Sequence, residues 1–275
     1  MNYICYSFNV SPVQPGSEIL MAIIADVGFE SFDQTENGFN AYIVEDLAQN
    51  VDLSDLNFED FTFTYSFKKI ETTNWNAEWE KNFEPVVIEP LLCIRAPFHP
   101  KNLHVKHEIV IMPKMSFGTG HHQTTRQVCA QMFKTDFKNK RVLDMGCGTG
   151  ILAILATILE AKNIVAIDID EWSVENAIEN CRDNNAYNIT IKKGDVESLE
   201  NEAPFDIILA NINKNILKSQ IPVYANKIAK GGQLFLSGFF TTDVAELTSL
   251  AETVGFKYLY TSNEDEWAVL IMERV

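Results

Sequence analysis

The first 70 residues alternate between short extended patterns and helical ones. YICYSFNV (Tyr3 to Val10) is typical of a strand, and GSEILMAIIADVGF, which begins at Gly16, is typical of a helix. Asn37-Gly38 between two extended runs indicates a β-hairpin, whose second arm is FNAYIVED. An acidic segment around Leu47 to Leu56 is either a second helix or a loop, and FTFTYSFKKI (Phe61 to Ile70) is a fourth strand. The order βαββαβ predicts a small ferredoxin-like domain over residues 1–70.

The next stretch, residues 71–111, has a different character. Trp75 and Trp79 stand four residues apart and would lie on one face of a helix, where such a pair is more often a packing anchor than a ligand platform. VVIEPLLCIRA and HEIVIMP indicate the two arms of an extended hairpin. We interpret the stretch as a linker, made of one helix and one hairpin, between the first domain and a second one at residues 112–275.

The second domain shows a repeated strand and helix alternation, which predicts a mostly parallel sheet with helices on both faces. The predicted strands are RVLDMG, NIVAIDID, ITIKKGD, PFDIILANI and GGQLFLSGF, each followed by a helix-like segment. FKYLYTSNEDEWAVLIMERV then forms two strands with no helix between them. Such a terminal hairpin adds one antiparallel strand to the sheet, and this separates the fold from the plain dinucleotide-binding one.

Composition supports a globular α/β protein. Of the 275 residues, 46% are hydrophobic and 22% are charged, unlike a disordered chain. The longest apolar runs, such as Ile151 to Leu159, are shorter than the ~18 residues that a membrane helix needs, and no basic segment followed by an apolar one begins the chain. We therefore expect a cytoplasmic protein. The five cysteines include no CxxC pair, which argues against a zinc ribbon or an iron–sulfur cluster and favours reduced, buried thiols.

The distribution of charge is more informative than the net charge of −16. Residues 1–67 contain eleven Asp and Glu and no Lys or Arg, and the first cation is Lys68. This segment is either a solvated acidic surface or a docking surface for a basic partner, because complementary fields favour encounter. Either interpretation argues against nucleic acid, whose phosphates attract the opposite charge.

The stretch VLDMGCGTGILAI contains a glycine-rich turn between a predicted strand and a helix. A dinucleotide-binding turn would have a small residue at the position of Ile151, and a phosphate-binding loop would continue with GK[ST], so the pattern DxGxGxG fits neither. Asp168 follows Gly146 by 22 residues, at the end of the next strand, where a carboxylate can accept hydrogen bonds from ribose hydroxyls. Asp170 is the better candidate for a helix cap. The pattern indicates a nucleoside ligand without a phosphate cradle.

These residues resemble the class I methyltransferases that use S-adenosylmethionine. DMGCGTG is similar to their glycine-rich first motif, AIDID to their ribose-binding acid, and Gly194-Asp195 to their adenine-side turn. MSFGTGHHQTT and NWNAEWEKNFEPVVI narrow the resemblance to the ribosomal protein L11 methyltransferase family. It implies a Rossmann-like mixed sheet, of the class I methyltransferase α/β type, with a small N-terminal α+β ferredoxin-like domain that grips the substrate.

The family motif places five residues at cofactor positions: Thr125, Gly146, Gly148, Asp168 and Asn211. The sequence departs from the family pattern at two segments. MPK (residues 112–114) stands where the family usually has DPG, and Asn-Lys-Asn (residues 213–215) stands where the residues are usually apolar and small. Neither departure removes a predicted cofactor contact.

The resemblance implies that S-adenosylmethionine methylates lysine side chains and the N-terminal amine of ribosomal protein L11. A lysine amine has a reference pKa of about 10.4, so it must lose a proton before it attacks. We expect Asn211, after the fourth strand, to orient it as a catalytic residue. The expected protein is a monomer that binds neither nucleic acid nor membrane. Two alternatives remain: methylation of an amine on RNA, DNA, another protein or a small molecule, and a cofactor-binding ribosome assembly factor without catalysis.

Two further candidates are interpreted as structural. His121 and His122 are adjacent and would diverge on a helix, and no third ligand has suitable spacing, so we expect no metal site. Cys147 has no identifiable histidine partner, so a packing role is favoured over a nucleophilic one. Phe117 either packs on the cofactor or belongs to the core.

Overall fold

The computed structural model describes residues 2–54, 56–70, 75–88, 90–102 and 104–275. The chain divides into two compact units, Met1–Asn82 and Phe83–Val275. Residues 71–74, where the linker was expected to begin, lie outside the described part, and so does the side chain of Trp75. That Trp75 and Trp79 share one face of a helix therefore stays a prediction. Among the described residues, no helix is long and apolar enough to cross a membrane.

The smaller unit has the predicted βαββαβ order. Its elements are β1 (Tyr3–Ser11), α1 (Val13–Ala25), β2 (Phe29–Thr35), β3 (Gly38–Val44), α2 (Glu45–Ala48) and β4 (Thr62–Ile70), followed by α3 (Trp75–Asn82). The strands form an antiparallel sheet in the order β2-β3-β1-β4. Tyr6, Phe8 and Val10 alternate along β1 and join Leu20 and Ile24 of α1 in one hydrophobic core.

The second helix of the smaller unit is much shorter than the segment Leu47 to Leu56 suggested. α2 is a single turn, and the described residues between it and β4 form no further helix or strand. The segment NVDLSDLN is rich in Asn and Asp, whose side chains bond to nearby backbone and favour turns over helix; the Asp52 carboxylate accepts from Ser54 N–H at 3.0 Å. The loop alternative is therefore the correct one.

The larger unit begins with a three-stranded sheet of β5 (Val86–Ile88), β6 (Leu92–Arg95) and β7 (His107–Val110). β5 and β6 pair antiparallel, but β7 runs parallel to β6, so the expected hairpin between VVIEPLLCIRA and HEIVIMP was wrong. The connection through residues 96–106 is long enough to return the chain to the starting end of β6, which a parallel pair requires.

A seven-stranded sheet forms the rest of this unit. Its elements are α4 (Gln123–Met132), β8 (Arg141–Met145), α5 (Ile151–Ile158), β9 (Asn163–Asp168), α6 (Glu171–Asp183), β10 (Ile189–Lys193), β11 (Phe205–Asn211), α7 (Lys214–Lys227), β12 (Ile228–Phe240), α8 (Val244–Thr253), β13 (Phe256–Glu264) and β14 (Trp267–Arg274). The strand order is β10-β9-β8-β11-β12-β14-β13, and β14 alone runs opposite to the other six strands. The predicted terminal hairpin is confirmed.

Helices cover both faces of this sheet. One core contains side chains of α4, α5 and α6 together with those of β6 and β7, and the other contains side chains of α7 and α8. The α-helix expected between β10 and β11 is absent, and a 3₁₀ helix at Val196–Leu199 stands in its place. β8 lies between β9 and β11, so the strand order reverses there, and open α/β sheets bind ligands at such a point.

Candidate active site

A cavity of about 690 Å³ opens at the carboxyl ends of β8, β9 and β11, which is ample for a nucleoside-sized ligand. Gly146, Gly148, Asp168 and Asn211 line it. Thr125 does not line it, but its Oγ1 accepts a long hydrogen bond of 3.4 Å from Asn211 Nδ2. The structure thus brings the five sequence-predicted residues together, while their contacts with a cofactor stay a prediction.

The glycine-rich loop between β8 and α5 requires glycine for two reasons. Gly146 and Gly148 have φ values of +71° and +53°, in the region that other residues rarely adopt. A Cβ on Gly146 would lie 2.2 Å from Ile212 Cγ2, and one on Gly148 would lie 2.2 Å from the Phe117 carbonyl oxygen. The loop backbone can therefore approach a ligand closely, and no side chain intervenes.

Asp168 ends β9 and is 9% exposed. Its Oδ2 accepts from Gly148 N–H at 2.8 Å, and its Oδ1 accepts from Asp170 N–H at 3.0 Å. Each carboxylate oxygen keeps a further lone pair, so the group can also accept from two hydroxyls of a ligand. Asp170 occupies the N-cap position of α6 as expected, but its side chain makes no capping hydrogen bond.

Asn211 stands at the carboxyl end of β11. Its Oδ1 is buried, and no residue that the structure describes is its hydrogen-bond partner. A buried amide oxygen without a partner is costly, and a ligand that donates a hydrogen bond to it removes that cost. Asn213, two residues on, caps α7 by accepting from Ile216 N–H at 3.1 Å, which explains one polar residue in the segment that departs from the family pattern.

Four rings form an aromatic cluster beside the cavity: Phe117, His122, Phe240 and Trp267. The His122 and Trp267 ring centroids are 4.7 Å apart, those of Phe117 and His122 are 5.3 Å apart, and those of Phe240 and Trp267 are 4.4 Å apart. Of these four rings, the sequence analysis considered only Phe117 as packing on the cofactor. Phe240 and Trp267 lie far from Phe117 in the sequence, and no local spacing connects them with it.

His122 is a helix cap. Its Nδ1 accepts from Thr124 N–H at 3.2 Å at the start of α4, whereas the His121 ring contacts the Glu84 carbonyl, so the two adjacent rings diverge. Burial, with a contribution from Arg126, lowers the pKa of His122, so the ring is neutral at neutral pH. Among the described residues, no group of three or more His, Cys, Asp or Glu side chains is placed to hold a metal ion.

Two buried groups lie behind the glycine-rich loop. Asp144 is 1% exposed; its Oδ2 accepts from Ala153 N–H at 3.1 Å, and none of the described residues donates to its Oδ1. Burial raises the pKa of Asp144 to about 7. Burial also raises the pKa of the Cys147 thiol. Because the thiolate is the nucleophilic form of cysteine, this environment suits the packing role predicted for Cys147.

The residues present fit S-adenosylmethionine. The loop glycines allow close backbone approach, Asp168 offers acceptors for ribose hydroxyls, and Asn211 offers an unpaired amide oxygen. The apolar wall suits a purine ring, and Ile167, Ile169, Ile212 and Ile216 contribute to it. Gly194 and Asp195, the predicted adenine-side turn, also line the cavity, with Asp195 accepting from Glu197 N–H at 2.9 Å.

Comparisons with known proteins agree with this geometry. The sequence model of the ribosomal protein L11 methyltransferases matches residues 25–275. Proteins of that name from Phocaeicola vulgatus and Porphyromonas gingivalis are 40% and 41% identical to this chain; the matches cover 98% of this chain in both cases and 98% and 97% of the relatives. The crystal structure of a ribosomal protein L11 methylase from Lactobacillus delbrueckii subsp. bulgaricus superposes with a TM-score of 0.65 at 27% identity, covering 70% of this chain and 99% of that one.

Proposed function

Since the chain belongs to the ribosomal protein L11 methyltransferase family, we propose that it methylates lysine side-chain and N-terminal amines of ribosomal protein L11. The methyl donor is S-adenosylmethionine. The observation that carries the proposal is the buried Oδ1 of Asn211, for which no described residue is a hydrogen-bond partner, on a side chain that lines the cavity together with Gly146 and Asp168.

The cofactor supplies an electrophilic methyl group on a positively charged sulfur when it is bound. Gly146, Gly148 and Asp168 would hold its nucleoside part, as argued above. Transfer would be an in-line displacement, in which the amine nitrogen bonds to the methyl carbon as the bond from that carbon to sulfur breaks. The protein must therefore align the amine, and positioning of this kind accounts for much of the rate acceleration in two-substrate reactions.

The acceptor amine must also be uncharged. Phe117 and Trp267 present apolar surface at the cavity, and loss of solvation lowers the pKa of an ammonium group. The His122 ring is neutral, so it does not repel the positively charged amine that enters the cavity. Asn211 Oδ1 accepts an N–H of the amine, which turns the nitrogen lone pair towards the methyl carbon. The proton released before attack passes to solvent. Asn211 is the catalytic residue of this proposal.

We propose further that the smaller unit recognises the substrate. Its sheet carries a groove lined by Tyr3, Glu30, Ser31, Asp33, Tyr42 and Ile70. Tyr3 Oη donates to Glu30 at 2.9 Å and Tyr42 Oη donates to Asp33 at 2.7 Å, so two carboxylates are held at the surface. Together with the lack of Lys and Arg in residues 1–67, this favours a basic protein segment over nucleic acid as the partner.

Intact-mass analysis of purified ribosomal protein L11, incubated with this protein and S-adenosylmethionine, tests the reaction. We expect mass gains in whole methyl units, which Asp168→Ala abolishes and Glu175→Ala, an exposed acid on α6, preserves. Fragment masses then locate the methyl groups. Substrate with an acetylated N terminus should still gain methyl groups on lysine side chains, but it should gain none on the blocked terminal nitrogen.

No mass gain by an enzyme that binds the cofactor would contradict the proposed acceptor. For the recognition surface, the double variant Glu30→Lys and Asp33→Lys should raise KM for the substrate and leave the dissociation constant of the cofactor unchanged. The double variant Glu18→Lys and Glu36→Lys, at exposed positions outside the groove, is the matched charge reversal. Equal effects of the two double variants on KM would count against a specific docking groove.

A further inference from the structure

Three asparagines spaced four residues apart form a ladder along the segment that leads from β7 towards the cavity: Asn176 and Asn180 in α6, and Asn184 at its C-cap. Asn184 bonds both backbone groups of Val110: Oδ1 accepts from N–H at 2.8 Å, and Nδ2 donates to the carbonyl at 2.6 Å. Asn180 Oδ1 accepts from Met112 N–H at 2.9 Å, and Asn176 Nδ2 donates to the Met112 carbonyl at 3.4 Å. These contacts involve the backbone of Val110 and Met112, so they do not depend on the side chain at position 112.

Asn180 differs from the other two because it also bonds the glycine-rich loop. Its Nδ2 donates to the Thr149 carbonyl at 2.9 Å and to Asn176 Oδ1 at 2.6 Å. The side chain is completely buried, and its oxygen and both of its N–H groups are used. One amide group thus connects the segment at Met112 with the loop at Thr149.

Thr149 in turn bonds to the segment that forms part of the cavity wall. Its backbone N–H donates to the Phe117 carbonyl at 2.9 Å, and its Oγ1 donates to the Gly118 carbonyl at 2.6 Å. Phe117 lines the cavity directly. Because Gly148 packs so closely on the Phe117 carbonyl, a shift of the Thr149 peptide must move the neighbouring loop as well.

We propose that Asn180 is a positioning residue that sets the affinity of the cavity for S-adenosylmethionine, through Thr149. The inference rests on the cofactor site assigned under the proposed function. Without the Asn180 amide, the Thr149 carbonyl is left unpaired in a buried place, and the loop gains by moving to a position where solvent reaches that carbonyl. Asn180 itself does not line the cavity, so its effect reaches the cofactor through the glycine-rich loop that holds it.

Calorimetric binding of S-adenosylmethionine and of S-adenosylhomocysteine to the full chain tests the proposal. Asn180→Asp keeps an acceptor for Met112 N–H and loses the donor to Thr149, and Asn180→Ala removes both. Asn184→Ala is the matched control, because it removes three hydrogen bonds at the end of the same helix, two to Val110 and one to the Asn180 carbonyl, without touching the loop. We expect the Asn180 variants to raise the dissociation constant about tenfold and Asn184→Ala to change it less than about twofold.

Melting temperature and kcat complete the test. We expect the substitutions at Asn180 and at Asn184 to lower the melting temperature of the free protein. We expect Asn180→Asp to keep kcat near the wild-type value at saturating cofactor. If Asn180→Asp and Asn184→Ala change the dissociation constant by the same factor, the ladder serves stability alone and the inference is wrong. A wild-type protein that binds neither ligand would instead contradict the proposed function, and the inference with it.

Discussion

The Asp168 carboxylate accepts a hydrogen bond from Gly148 N–H at 2.8 Å, so the end of β9 and the loop after β8 are joined within the protein. The Ile167 carbonyl strengthens this junction by accepting from Gly146 N–H at 2.8 Å and from Cys147 N–H at 3.0 Å. The two sequence motifs that resemble cofactor motifs are therefore one structural unit. A change in either motif should alter the other.

Gly148→Ala should weaken cofactor binding at least about tenfold, because the new methyl group meets the Phe117 carbonyl and displaces the loop. Gly231→Ala is the matched control. Gly231 also has a positive φ, of +77°, but no atom lies within 4 Å of its added Cβ. The control should lose about 1 kcal/mol of stability from backbone strain alone and keep its affinity. Calorimetry and thermal melting of both variants separate the two effects, and equal affinities would contradict the close-approach argument.

Asn211→Ala should lower kcat about 100-fold, because the amine loses the acceptor that orients it. Asn211→Asp should also be impaired, since a carboxylate favours the charged ammonium form of the amine. Asn226→Ala, which removes an exposed asparagine of α7, should leave kcat unchanged. Single-turnover rates at saturating cofactor measure the effect on chemistry. A rate for Asn211→Ala close to that of the wild type would refute a catalytic role for this side chain.

Asp144→Asn should change the pH dependence of stability. The pKa of Asp144 is about 7 in the folded protein and about 3.9 in an unfolded chain, so between these values the folded state holds a proton that the unfolded state has released. The free energy of unfolding therefore falls as pH rises through this window and levels off above it. The amide that Asp144→Asn introduces cannot ionise, so the free energy of unfolding of the variant does not fall in this way as pH rises.

Urea unfolding of both proteins measures this difference, because their other titrating groups are shared. From about pH 5 to about pH 8, the variant should gain about 2 to 3 kcal/mol relative to the wild type. A stability difference that stays constant with pH would show that Asp144 is ionised in the folded protein throughout.

Local patterns in the sequence predicted the features that depend on neighbouring residues. The strands before the glycine-rich loop and before Asp168 follow from short apolar runs, and the loop follows from its glycine spacing. Because parallel strands end at one edge of a sheet, these local predictions were sufficient to place Gly146, Asp168 and Asn211 near one another.

Features that depend on distant contacts escaped the sequence analysis. The direction of β7 is set by its pairing with β6, and an apolar run of four residues does not encode a direction. The aromatic cluster joins Phe117 to Trp267 through His122, and the asparagine ladder joins α6 to residues 110–112. In each case the sequence shows the residue types, and only the fold shows which of them meet.

The alkylation rates of the five cysteines can also report local unfolding of the protein. All are free and buried, with Cys5 in the smaller unit and Cys93, Cys129, Cys147 and Cys181 in the larger one. Burial raises the pKa of the four thiols in the larger unit, so alkylating reagents should reach them only when the structure opens. The order in which the five sites are alkylated therefore reports which unit opens first, without any added label.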